Sequence, residues 1–199
     1  MIRNLRSPVF GCLLSVMTLL AGCASFLGVT SLPSALPVGW EARRDALQSW
    51  TTFESRGRVA VANNGEGFSG AWRWAQTAKR SRLELEGPLG VGGMRLDFDG
   101  GASNDASRAA LEQQLGFTLP VESLRYWMLG VPDPHSLVEE RIATDAPRLD
   151  SLTQQGWTVI FKNYAPVVGA DYELPQRIEV SREALRVRLI IESWGGGAP

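Results

Sequence analysis

The chain is poor in the residues on which most protein chemistry is built. It carries 2 cysteines and 1 histidine in 199 residues. Cys12 falls in an N-terminal segment that reads as a discarded leader, so Cys23 is the one cysteine of the mature chain and no disulfide can close within it. The lone His135 stands in the turn Pro132-Asp133-Pro134-His135 and reads as an exposed turn residue. A triad needs a base oriented by a third group, and no Gly-x-Ser-x-Gly elbow occurs. Gly67-Phe68-Ser69-Gly70 has the wrong spacing and falls on a strand. A zinc site needs several converging His, Cys or acidic ligands, so no metal is expected. Glu139 and Glu140 are neighbours, which on a strand puts them on opposite faces, where they cannot act as a pair. The glycines at 87, 90, 92 and 93 are not followed by Gly-Lys-Ser/Thr, which excludes a P-loop. There is no basic stripe for nucleic acid and no internal repeat. No apolar run approaches the roughly 20 residues of a spanning helix. The residues therefore point to a non-enzyme without a cofactor.

What is present begins at the N-terminus. Arg3 and Arg6 precede an apolar run of about a dozen residues, Val9 to Leu20. A basic start, a short apolar core and small residues before a cut make a secretory signal, residues 1–22. Leu20-Ala21-Gly22-Cys23 resembles the lipobox of bacterial lipoproteins. That resemblance implies a diacylglyceryl thioether on the Cys23 sulfur and a further acyl chain (palmitate, for example) on its α-amino group. Each buried methylene contributes about 0.8 kcal/mol, so several chains anchor far better than one. The next residue, Ala24, is not aspartate, which by the same resemblance favours the periplasmic face of the outer membrane.

Cutting 22 of the 199 residues leaves 177, enough for one domain with a sizeable core. The cut removes two arginines of the 20 basic residues and none of the 21 acidic ones, so the mature charge is −3. Residues 23–38 are rich in Ser, Gly, Pro and small apolar types and read as a lipidated tether. Residues 39–199 read as a single domain. All seven tryptophans lie in the mature part, where they can fill a core or line an apolar pocket.

Within the domain, Trp40, Arg43, Arg44, Leu47 and Trp50 recur at helical spacing, which predicts a short amphipathic helix. Period-two alternation then predicts strands. Val59 and Val61 alternate with Arg58 and Ala60, and Phe68, Gly70, Trp72 and Trp74 with Ser69, Ala71, Arg73 and Ala75. Asn63-Asn64-Gly65 between them is a hairpin turn. Leu83 and Leu85 alternate with charges, as do Met94, Leu96 and Phe98. One face apolar and the other charged describes an antiparallel sheet with one wet side. Asp105 to Leu115 predicts a helix stopped by Gly116. Pro120 opens another helix, with Val121, Leu124, Trp127 and Met128 on one face and Gly130 at its end. Arg148–Gln155 is a weaker strand candidate. Trp157, Val159 and Phe161 alternate, as do Ile178 with Val180, and Leu185 through Ile191. Tyr164–Pro175 reads as a loop and Gly195-Gly196-Gly197 as a flexible tail. Strands, two helices, then strands suit a mainly β (α+β) fold, a curved antiparallel sheet with helices against its concave face.

Several segments in order resemble the LolB family of outer-membrane lipoprotein receptors. They are the lipobox, Trp40-x-x-Arg43-x-x-x-Leu47 with Trp50, and Arg56-Gly57-Arg58-Val59-Ala60. Gly67-Phe68-Ser69-Gly70-Ala71-Trp72-Arg73-Trp74, Arg82-Leu83-Glu84-Leu85 and Gly87-Pro88-Leu89-Gly90 follow. Last come Leu115-Gly116-Phe117-Thr118-Leu119-Pro120-Val121 and Leu124-Arg125-Tyr126-Trp127-Met128-Leu129-Gly130-Val131-Pro132. The resemblance implies a half-open antiparallel barrel with helices as lid and plug. It implies a monomer that accepts acylated lipoproteins from the periplasmic carrier LolA and inserts them into outer-membrane lipid, with Leu89 in a protruding turn aiding insertion. Alternation nominates Trp72, Trp74, Leu83, Leu85, Met94, Leu96, Phe98, Trp127 and Phe161 as the wall of an acyl-chain cavity. The chain departs from the family after Phe98, where a further hairpin is usual and only Asp99-Gly100-Gly101-Ala102-Ser103-Asn104 stands, which leaves the barrel more open there or alters the local topology. The other class the residues allow is a structural or assembly lipoprotein with the same anchor and a filled core. Cys23→Ser is expected to abolish incorporation of labelled palmitate and to release the chain from the membrane fraction, read by fractionation.

Overall fold

The computed structural model describes residues 39–87, 93–99, 103–115 and 117–196. The lipidation residue Cys23, the tether, Leu89 and Gly116 lie outside the described residues. The described residues open with a helix, α1 (Trp40–Ser49), followed by four strands, β1 (Thr52–Asn63), β2 (Glu66–Thr77), β3 (Arg80–Glu86) and β4 (Met94–Phe98). Two helices come next, α2 (Ser103–Leu115) and α3 (Val121–Met128). Five strands complete it, β5 (Val138–Ile142), β6 (Leu149–Gln154), β7 (Trp157–Ala165), β8 (Leu174–Arg182) and β9 (Leu185–Gly195).

All nine strands form one antiparallel sheet in the order β4-β3-β2-β1-β9-β8-β7-β6-β5. Each half is a meander, and the halves are stitched together by the first and last strands, β1 and β9. The segment containing α2 and α3 runs from one edge strand, β4, to the other, β5. Those edges are not paired among the described residues, so the sheet is not closed and the barrel is half open. Burial alternates strictly along β1, where Phe53, Val59 and Val61 are buried and Arg56, Arg58 and Ala60 exposed. It alternates again along β9, with Leu185, Val187, Leu189 and Ile191 inside and Arg186 and Arg188 outside. The period of two thus sorts an apolar inner face from a charged outer one.

Turn chemistry sets the register. Asn64 (φ 49°) and Gly65 (φ 88°) close the β1–β2 hairpin with both central residues left-handed, as a two-residue type I′ connection requires. Between β1 and β9 the pairing slips. Arg56 faces Ser193 but Gly57 faces Ile191, so Glu192 is an extra residue. There the strands approach so closely that a Cβ on Gly57 would lie 1.8 Å from the Ile190 carbonyl oxygen. Helix α3 ends in a Schellman motif, with the Gly130 N–H donating to the Trp127 carbonyl (3.0 Å) and the Val131 N–H to that of Tyr126 (3.2 Å). Gly130 supplies the positive φ of 76°.

Residues 138–142, to which the sequence pattern assigns no element, form an edge strand with Glu140 on the same face as Val138 and Ile142. Three expectations are corrected. The Tyr164–Pro175 loop is shorter, since Tyr164 pairs with Pro175 and Ala165 with Leu174 as the ends of β7 and β8. Gly195 is no part of a tail, because it pairs with Glu54 on β1. Pro120 flanks α3 rather than opening it, a one-residue shift. After Phe98 the chain passes to α2 at Ser103, which leaves β4 as an edge strand.

Gly57→Ala must force β1 and β9 apart at the seam of the two meanders. A loss of about 2–3 kcal/mol in unfolding free energy is expected in urea titration, larger than an exposed glycine substitution gives.

Candidate functional site

The inner face of the sheet is covered by the helical segment, and the two enclose an apolar pocket of about 40 Å³. Its floor is built from four adjacent strands. Val59 and Val61 come from β1, Phe68, Trp72 and Trp74 from β2, Leu83 and Leu85 from β3, and Val187 and Leu189 from β9. Val180 of β8 extends the floor. The roof is Leu111 of α2, Phe117 and Leu119 of the linker, and Leu124 and Met128 of α3. No lining side chain carries an oxygen. A water here would find few of the two to four polar partners that hold one in place, so the pocket is dry.

The two roofing helices are held very differently. In α3, Val121, Ser123, Leu124, Tyr126, Trp127 and Met128 are all buried. The Trp127 indole N–H donates to Gln154 Oε1 (3.0 Å), which also accepts from the Asp133 N–H (3.0 Å). The Gln154 amide in turn donates to the carbonyls of Asp133 (2.8 Å) and Ser136 (3.0 Å). The Ser123 hydroxyl donates to Asp133 Oδ2 (2.8 Å). A buried glutamine on β6 thereby ties α3 and the turn after it to the sheet. In α2, Leu111 is 1 % exposed and Ala110 half-buried. Among the described residues, the other ties of α2 that the structure shows are polar and at the surface. Ser107 donates to the Asp97 carbonyl on β4 (2.8 Å), and Arg108 pairs with Asp105 (3.6 Å) and Glu122. Exposed pairs of this kind contribute about 0–1 kcal/mol each, so α2 is the loose half of the roof.

Helix α1 covers a different part of the inner face. Trp40 is fully buried and its indole N–H donates to Glu140 Oε2 on β5 (3.0 Å). Arg43 is buried between the rings of Tyr172 (5.2 Å) and Tyr164 (5.6 Å) and donates to the Glu173 carbonyl. Burial pushes the Tyr164 phenol well above its ordinary range, so it remains a neutral donor to the Leu149 carbonyl (2.9 Å). Trp50 stacks on Trp194 (6.3 Å), which closes that end against β9.

Of the residues nominated by alternation, Trp72, Trp74, Leu83 and Leu85 line the pocket. Leu96, Phe98 and Phe161 are buried on the inner face but outside the lining, and Met94 is half-buried against the same core. Trp127 is fully buried and turned to Gln154. Alternation missed Leu111, Phe117 and Leu119, which are roof residues without a period-two signal. It read β1 and β9 as strands without showing that their inner residues meet beneath α3. His135, 78 % exposed at its side chain, lies 2.9 Å through Nδ1 from Asp133 Oδ1 and caps a turn. Among the described residues no group of three or more metal-ligating side chains forms.

An unclosed antiparallel sheet folded round an apolar pocket, with two unequally held helices over it, defines a half-open barrel with an apolar interior. The family model described as "Outer membrane lipoprotein LolB" matches residues 51–194. The outer-membrane lipoprotein LolB of Pseudomonas fluorescens is 33% identical over 193 residues, which cover 90% of this chain and 92% of that protein. That of Pseudomonas paraeruginosa is 33% identical over 196 residues with the same coverage. The chain belongs to the LolB family, which places it at the outer membrane as a lipid-anchored protein of lipoprotein localisation.

Burial raises the Asp133 carboxyl, but hydrogen bonds from the His135 N–H, the Ser123 hydroxyl and the His135 ring outweigh it and hold the group below its ordinary range. A depressed folded value stabilises the protein fully above the ordinary 3.8 and is lost as pH falls through the lowered one. Asp133→Asn is therefore expected to cost about 1–2 kcal/mol at neutral pH and to flatten the acid limb of the stability curve below about pH 5, read by unfolding at stepped pH.

Proposed function

We propose that the chain is a non-enzymatic receptor that takes acylated lipoproteins from the periplasmic carrier LolA, shields their acyl chains in the apolar pocket, and inserts them into the outer membrane. The observation that carries this reading is the pocket itself, lined by apolar side chains and roofed in part by Leu111, the one fully buried leucine among the described side chains of α2. An acyl chain in water costs about 0.8 kcal/mol for each methylene left exposed, so hand-off between two proteins needs a dry surface on both. At about 40 Å³ the pocket is too small for a lipid tail, and a tail enters when α2 and the Phe117–Leu119 linker swing away from the sheet. The weak polar ties of α2 keep that step inexpensive, while the Gln154 network holds α3 in place. For net transfer the pocket must bind acyl chains more tightly than the carrier and less tightly than the bilayer.

Cys23 fixes the receptor at its destination, and Leu89 couples the filled pocket to lipid. Burying one leucine contributes about 1.5–3 kcal/mol, enough to bias a loaded protein toward the membrane surface. The small volume also suits a structural lipoprotein with a filled core, and the two readings part on ligand binding. Acyl-chain lipids are expected to displace a fluorescent fatty acid from the protein, and depletion in the native host to leave lipoproteins stranded in the periplasm. Absence of both would favour the structural reading. Leu89→Glu is expected to leave uptake from the carrier intact and reduce insertion at least tenfold; normal insertion would remove Leu89 from the mechanism.

A further inference from the structure

Among the buried tryptophans, three have indole N–H groups paired to side-chain oxygens. Trp40 donates to Glu140 (3.0 Å), Trp74 to Gln76 Oε1 (3.2 Å) and Trp127 to Gln154 (3.0 Å). Trp72, by contrast, is 2 % exposed and its Nε1 is buried without an acceptor. Trp72 lines the pocket, where no side-chain oxygen is available to it. The Trp194 N–H is also unpartnered, but that residue stands outside the pocket lining. Buried donors are nearly always paired, and one left orphaned calls for a cause. Phenylalanine would fill a dry wall without that penalty. Trp72 is also rigidly set. It faces Gly57 on β1 and Leu85 on β3, in a strand hydrogen-bonded on both sides, so it stays in place when the roof moves.

We infer that the Trp72 indole N–H is a ligand-reading donor of the pocket, and that it takes the carbonyl oxygen of an acyl chain in ester or amide linkage. This rests on the acyl-pocket reading and adds to it a polar register point. The hydrocarbon tail lies among the leucines and valines, and the linkage stops at Trp72. An apolar pocket alone holds a tail at any depth, whereas one donor in a dry site fixes where the head begins, because burying the carbonyl elsewhere would leave it unpaired.

The test uses the full chain held in dodecyl maltoside, a detergent without a carbonyl, and displacement of a dansyl-labelled fatty acid. Three competitors share a sixteen-carbon chain: 1-monopalmitoylglycerol (ester), N-palmitoylserinol (amide) and 1-O-hexadecylglycerol (ether). The ester or the amide is expected to bind about five- to tenfold more tightly than the ether, and the stronger of the two names the linkage preferred. In Trp72→Phe the three affinities should converge on that of the ether. The indole proton of Trp72, followed in the wild-type protein by nitrogen-15 NMR, should move downfield with the carbonyl ligand and not with the ether, a readout independent of how the variant folds. Equal affinities in the wild type, or a preference that survives in Trp72→Phe, would overturn the assignment of Trp72 while leaving the pocket intact. Failure of all three to displace the dansyl acid would remove the acyl pocket and this inference together.

Discussion

An antiparallel sheet that does not close has one apolar face too large to leave in water, and the rest of this molecule answers that constraint. Val59, Val61, Trp72, Trp74, Leu83, Leu85, Val187 and Leu189 all point inward, and at about 25 cal/mol for each Å² of apolar surface their burial is a main driving term for folding. A closed barrel would bury them against one another. Here the edges β4 and β5 stay apart, and the chain that links them supplies the cover. Because the same residues serve as core and as pocket, whatever lifts the cover trades folding contacts for ligand contacts of similar chemistry.

That trade is practical only if the cover is unequal. Helix α3 is pinned by six buried residues and by the Gln154–Asp133–Ser123 network, whose hydrogen bonds are made in a low-dielectric interior and are correspondingly costly to break. Among its described side chains, helix α2 has one fully buried leucine, and its ion pairs lie at the surface. Local opening draws on elements with few buried apolar contacts, and α2 is such an element. The seam between the two meanders supplies the opposite property. Gly57 lets β1 and β9 meet at backbone distance across the slip at Glu192, so the floor of the pocket is one continuous wall.

Much of this was legible beforehand, for physical reasons that also mark the limits. Strict alternation in β1, β2, β3 and β9 follows from one wet and one dry face, and the Asn64-Gly65 turn and Gly130 follow from backbone sterics. β5 escaped notice because five residues with three charges carry little alternation. The β1–β9 pairing joins residues more than a hundred positions apart and leaves no local trace. Trp72, Trp74, Leu83 and Leu85 were nominated because they face inward, but facing inward does not say which part of the sheet a helix will cover. Phe98, Trp127 and Phe161 share the same signal and are buried elsewhere. Leu111 and Phe117 belong to the cover, and only its docking reveals them.

The central claim is that the dry volume between sheet and α2 opens to hold a hydrocarbon tail. A crystal structure of the protein with a synthetic triacylated lipopeptide tests it most directly. The account predicts an acyl chain lying among Trp74, Leu83, Leu124 and Val187, with α2 displaced and α3 and the sheet unmoved. A lipopeptide bound only at the surface, with Leu111 still seated on the floor, would contradict it.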